Sequence, residues 1–100
     1  MAKRYYEIWA LGFDAKGFAI DYEVFLDEGL EMEAAIAAAE RFESLGMDFL
    51  NHSSEKRIPE GGYATIVVEE CSDRTHDTID LVWESSAIYG GANECLTKKF

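Results

Sequence analysis

The spacing of apolar residues changes twice along this chain, and that change constrains the fold more than any other feature. Over residues 18–26, FAIDYEVFL, the residues Phe18, Ile20, Tyr22, Val24 and Leu26 alternate with Ala19, Asp21, Glu23 and Phe25. This is the period-two pattern of a strand with one buried face. Over residues 30–45, LEMEAAIAAAERFESL, the spacing becomes three and four, as on a helix. From residue 63 it returns to two. Such a chain specifies strands, then one helix, then strands.

Residues 4–13, RYYEIWALGF, also suit a strand, because Tyr, Ile, Trp and Phe favour a pleated surface. Tyr6, Ile8 and Ala10 make one face, and Tyr5, Glu7, Trp9 and Leu11 the other. Both faces are partly apolar, which suits a central strand or one covered on both sides. Asp14-Ala15-Lys16-Gly17 is a turn in which Gly17 accepts positive φ. Together the two strands predict a β-hairpin.

The helix is rich in strong helix formers. Met32, Ala35, Ile36, Ala39, Phe42 and Gly46 fall on one side, while Ala34, Ala37 and Ala38 lie away from that stripe. Glu31 and Glu33 in the first turn suit the helix dipole. Gly46 reads as a terminating glycine with Met47 packing back. Residues 47–62 then form a long connection, in which Met47 to Leu50 suit a short extended piece and Pro59 to Gly62 a turn. Residues 63–71, YATIVVEEC, make a third strand. Residues 72–77 connect it to a fourth, residues 78–89, with Ile79, Leu81 and Trp83 on one face and Asp80, Val82 and Glu84 on the other. The tail, 90–100, is weakly patterned.

The expected fold is α+β: a single domain over residues 1–100, with a ββαββ core of about 4–89. Four antiparallel strands form a sheet, and one helix packs on one face. One helix covers one face only. The other is left with Tyr5, Trp9, Phe25 and neighbouring carboxylates, and an exposed aromatic patch marks a partner.

Charge narrows the choice of partner. The 100 residues carry 20 acids against 9 bases, a net charge of −11. That excludes binding nucleic acid through its phosphates, which needs a basic face. Residues 27–48 hold seven acids and one base, and residues 63–84 hold six acids and one base. A hydrophobic content of 48% with 13% aromatics excludes a disordered chain. The opening residues, MAKRYYEIW, carry no apolar signal region. No apolar run approaches the roughly 20 residues that span a bilayer. Cys71 and Cys95 are too few for a disulfide scaffold. The expectation is a cytoplasmic protein with reduced thiols and no membrane contact.

Motifs for catalysis or cofactors are sparse. Gly61-Gly62 and Gly90-Gly91 are turn pairs, not phosphate loops, and no cofactor is implied. Cys71, Asp73, His76 and Asp77 are the best metal-ligating group, but their spacing matches no zinc motif and a polar connector explains them. His52 with Asp48 and Glu55 is a weaker group. Ser53 and Ser54 beside His52 do not make a triad, because triads are assembled in space. Glu69, Glu70 and Asp73 raise the pKa of Cys71, which argues against a thiolate nucleophile. An enzyme, metal-dependent or hydrolytic and using the His76 loop, is therefore the alternative and not the main expectation.

The main expectation is a non-enzymatic interaction domain that binds a partner protein or a second copy of itself. Tyr5, Trp9 and Phe25 would be its apolar anchors, with Glu7, Asp21 and Glu23 as the polar surround. Glu31, Glu33 and Glu40 would form a second acidic surface. In size, charge and general build the chain resembles the small acidic proteins of phages and mobile elements, including anti-CRISPR inhibitors. That resemblance covers no specific motif and transfers no functional residue. The acidic segments themselves allow a second expectation, mimicry of nucleic acid: carboxylates in a row would occupy the Lys and Arg sites a partner uses for phosphates. Binding would be fast, salt-sensitive and competitive with nucleic acid.

Overall fold

The computed structural model describes residues 4–72 and 78–89. The elements are β1 (Arg4–Phe13), β2 (Ala19–Gly29), α1 (Met32–His52), β3 (Tyr63–Ser72), β4 (Thr78–Glu84) and β5 (Ile88–Tyr89). They form one antiparallel sheet with one helix, the expected α+β arrangement. The strand order is β2-β1-β3-β4, with β5 also paired to β3. Helix α1 therefore carries the chain over β1 to its far side.

The first hairpin closes as its turn residues dictate. The Asp14 carboxylate accepts from the backbone N–H groups of Lys16 and Phe18, each at 2.9 Å. Gly17 takes φ 90°. Phe18, expected on the buried face, lies instead beyond the strand end and is 67% exposed.

One face of the sheet meets the helix. Ile8 and Ala10 of β1, Tyr22 and Val24 of β2, and Ala64, Ile66 and Val68 of β3 pack with Ala35, Ala38, Ala39, Met47 and Leu50. Small alanines at the contact let the helix backbone approach the sheet. Ala38 thus belongs to the core stripe and not to the small-residue surface, whereas Met32 is exposed. Glu31 is the N-cap residue, one position before the helix.

Gly46 does not end the helix. It kinks it, with φ 79° and ψ −169°, a conformation that is essentially glycine-only. Helical structure resumes at once, so the expected extended piece at Met47 to Leu50 is helical. The kink resets the helical phase and turns Met47 and Leu50 into the core. Phe42 and Phe49 stack across it, with ring centroids 5.4 Å apart. The connection that follows is correspondingly shorter. Arg57 ties it to the helix end by donating to the carbonyls of Asn51 and Ser54 at 2.8 and 2.9 Å.

The expected fourth strand is interrupted. Bulges at Ile79 and Val82 break its pairing with β3. As a result Leu81 pairs opposite Glu69 on one face while Trp83 pairs opposite Val68 on the other. They do not share a face, as simple alternation requires. Ser85 then joins β4 to β5. Its backbone N–H donates to the Ile66 carbonyl at 2.8 Å, and its hydroxyl accepts from the Ile66 N–H at 2.8 Å. The tail 90–100 and the segment 73–77 lie outside the described residues.

Replacing Gly46 by Ala puts a Cβ on a backbone at φ 79° and should lower stability by about 1–3 kcal/mol. Gly29→Ala is the control, since nothing lies within 4 Å of the added Cβ at either position and Gly29 has no positive φ. Urea denaturation of both variants checks this. Equal effects would contradict the kink as a glycine-dependent feature.

Candidate functional site

Helix α1 packs on one face of the sheet; on the second face Tyr5, Thr65, Val67 and Cys71 are buried, while Phe25, Leu81 and Tyr89 are exposed. Residues paired across antiparallel strands point to the same face, so the register defines what this face displays. Trp9 lies opposite Phe25, and Leu11 opposite Glu23. Glu7 lies opposite Glu28 on one side and Glu69 on the other. Phe13, Tyr63 and Tyr89 form a row across β1, β3 and β5. Leu81 and Thr78 of β4 complete the surface near Glu69 and Cys71.

Two bands result. At one end Phe13 and Tyr63 stack at 5.0 Å, and Tyr89 follows at 5.5 Å. Towards the other end Glu28, Glu7 and Glu69 form a row of carboxylates on three adjacent strands, about 4.8 Å apart from strand to strand. Trp9 and Phe25 stand between the bands, edge to face with centroids 5.4 Å apart.

Glu7 is the fixed point of the acidic band. Its Oε2 accepts from the Tyr5 hydroxyl and its Oε1 from Trp9 Nε1, both at 3.0 Å. All three residues alternate along β1, so the period of the strand brings the donors to one carboxylate. Thr78 Oγ1 lies 3.4 Å from Glu69 Oε1. Around these groups is a depression of about 340 Å³ lined by Glu7, Trp9, Leu11, Glu23, Glu69 and Thr78. Among the described residues the ion pairs are Arg4–Glu70 and Lys56–Asp21. Neither involves Glu7, Glu23, Glu28 or Glu69.

The carboxylates act on their neighbours. Burial, then the hydrogen bond and charge of Glu7, pushes the Tyr5 hydroxyl up to about 12. Burial, then the charges of Glu7 and Glu69, pushes the Cys71 thiol up to about 11. Cys71 is a buried free thiol, whose Sγ contacts the Glu69 carbonyl at 3.7 Å. At neutral pH it is protonated and a poor nucleophile.

The structure thus brings Glu7, Trp9, Glu23 and Phe25 to one face. Tyr5 shares that face but is buried, so it orients Glu7 and offers no exposed ring. Asp21 is held at the outer edge of β2 by Lys56, beside a separate polar groove of about 450 Å³ formed with residues 53–56. Glu31, Glu33 and Glu40 are exposed on the helix side, away from the acidic band. His52 is the exposed last residue of α1. Asp73, His76 and Asp77 lie outside the described residues, and among those described no three His, Cys, Asp or Glu side chains converge as metal ligands.

Sequence reading missed Glu28, Glu69, Tyr63 and Tyr89 as members of this face. For Glu28 the alternation misleads, because a bulge at Leu26 reverses which positions face outward. Tyr63 and Tyr89 are joined only by strand order, which local patterning does not encode. No helix among the described residues is long and apolar enough to cross a membrane. Comparison with protein-family models, curated proteins and solved structures gives no match.

The raised groups fix the sign of the alkaline response. Folded Cys71 and Tyr5 keep protons that the unfolded chain releases above the ordinary values of 9.0 and 10.0, and buried Tyr22 shifts the same way. This contribution is complete below pH 9 and is lost as pH rises towards 12. Urea denaturation at fixed pH should show stability falling across that window; a flat profile would contradict the assignment. In the native protein at pH 8, iodoacetamide should leave the Cys71 peptide unmodified by mass spectrometry. Rapid alkylation of that peptide would show an accessible thiolate instead.

Proposed function

We propose that this protein is a non-enzymatic interaction domain whose sheet face opposite the helix docks on a basic surface of another protein. The observation that carries the reading is the carboxylate row Glu28–Glu7–Glu69 beside Trp9 and Phe25, with no ion pair to any of its members among the described residues. Like charges directly opposite one another destabilise a sheet. A cationic partner removes that cost and gains the aromatic area as well. Self-association through the same face would set the row against its own copy, so charge favours a partner of opposite sign over a homodimer. A cytoplasmic location belongs to the proposal, supported by the buried reduced thiol of Cys71.

A second reading rests on the geometry of the same row. Regularly spaced carboxylates present negative charge in a line, as phosphates do. If the basic surface belongs to a nucleic-acid-binding protein, this protein acts as a competitor of nucleic acid for that surface. Competition between the bound protein and nucleic acid for the same partner distinguishes the two.

Capture from lysate by tagged protein tests the main reading. Capture should occur at low salt and be lost at about 0.5 M, where screening shortens the range of charge to a few ångströms. The pair Glu23→Gln and Glu28→Gln should abolish it, while Glu33→Gln with Glu40→Gln on the helix should not. Capture that ignores salt, or that only the helix variants remove, would overturn the assignment of the face.

A further inference from the structure

We infer that residues 92–100 of the chain's own C-terminal segment cover the seam between β1 and β3 on the face opposite the helix, with Lys98 and Lys99 at the carboxylate row. The protein then carries a basic segment on the surface proposed to dock a basic partner, and the partner displaces it. Coverage of the seam stands apart from the docking reading; displacement by a partner rests on it.

Burial is uneven across this face. Tyr5, Thr65, Val67 and Cys71 are each less than 9% exposed. They sit on the two central strands, and the register places them together on the side away from α1. At the margins Phe25 on β2, Leu81 on β4 and Tyr89 on β5 are 46, 49 and 54% exposed. A buried centre between exposed margins marks a cover about one extended chain wide, since neighbouring strands lie about 4.8 Å apart. Among the described residues no element supplies that cover. The Thr65 hydroxyl is buried on the seam with no hydrogen-bond partner among them, and a backbone passing over it brings both donors and acceptors.

Chain length and charge select the occupant. Tyr89 pairs antiparallel with Tyr63 at the start of β3, so the chain leaves the sheet at the end far from Glu69. Gly90-Gly91 follows, a pair suited to a tight reversal. The distance along β3 from Tyr63 to Glu69 is about 20 Å, and an extended chain from Gly91 to Lys98 spans about 23 Å. The two lysines thus reach the level of Glu7 and Glu69. Residues 90–100 hold Lys98 and Lys99 against Glu94 alone, so their charge complements the row. The connection 73–77 starts and returns at the opposite end of the seam and has five residues, too few to reach back to Thr65. A second copy of this face would set Glu28, Glu7 and Glu69 against themselves.

Zero-length crosslinking of the dilute full chain with a water-soluble carbodiimide, mapped by mass spectrometry, tests the placement. Amide bonds within one chain should join Lys98 or Lys99 to Glu7, Glu28 or Glu69. Lys98→Gln with Lys99→Gln should speed iodoacetamide alkylation of Cys71 about fivefold at low salt, the effect of losing two partly exposed ion pairs. The same variant should bind a labelled tetralysine peptide about fivefold tighter in fluorescence polarisation, because the peptide no longer competes with the chain's own lysines. Crosslinks confined to Glu31, Glu33 and Glu40, crosslinks only between chains, or none at all would overturn the inference. Equal alkylation of Cys71 in both proteins would overturn it as well. The expected crosslinks with unchanged peptide affinity would overturn the displacement and keep the cover. Salt-sensitive capture without these crosslinks would leave the docking reading standing and remove the cover.

Discussion

Strand β1 is hydrogen-bonded on both sides, and the remainder of the molecule depends on how its two faces are served. Ile8 and Ala10 on one face are fully buried against α1. That burial requires a helix that comes close, which the alanines at 35, 38 and 39 permit. It also requires the helix to follow the sheet beyond its first turns, which the Gly46 kink permits by swinging Met47 and Leu50 inward. Burial of this kind is the main favourable term in a small domain. The helix supplies it to this face, and on the other face Tyr5, Thr65, Val67 and Cys71 are buried as well.

The other face is built from what β1 has left over. Tyr5, Glu7, Trp9, Leu11 and Phe13 alternate along the strand, and the register sets partners beside each. Apolar partners cluster at one end, where Phe13, Tyr63 and Tyr89 align. Carboxylates cluster towards the other, where Glu28, Glu7 and Glu69 align. The acidic alignment does not help the sheet. Its place beside a tryptophan, with Glu7 held by two donors, is the local conflict on which the proposed reading rests.

Much of the fold was legible because it is local. The bounds of β1 and β3, the Asp14–Gly17 turn, and the helix over its first fourteen residues all follow from periodicity and turn chemistry. What escaped depends on single-residue insertions and on pairing at a distance. The bulge at Leu26 brings Glu28 to the face of Phe25, and the bulge at Val82 separates Leu81 from Trp83. Gly46 looked like a stop because positive φ ends most helices; only the tertiary core shows that the chain continues helically. Of the site, Trp9, Phe25, Glu7 and Glu23 could be read from alternation in the first hairpin. Glu69 and Tyr63 could not, because nothing local says that β3 lies beside β1. The buried position of Tyr5 was hidden for the same reason.

The central claim is that recognition belongs to the sheet face opposite the helix and not to the acidic helix. Carboxylate labelling by carbodiimide and glycinamide, mapped by mass spectrometry before and after binding of the captured basic partner, tests it directly. The account predicts protection of Glu7, Glu23, Glu28 and Glu69 on binding, with Glu33 and Glu40 labelled equally in both states. Protection confined to Glu33 and Glu40, with the sheet carboxylates unchanged, would contradict it.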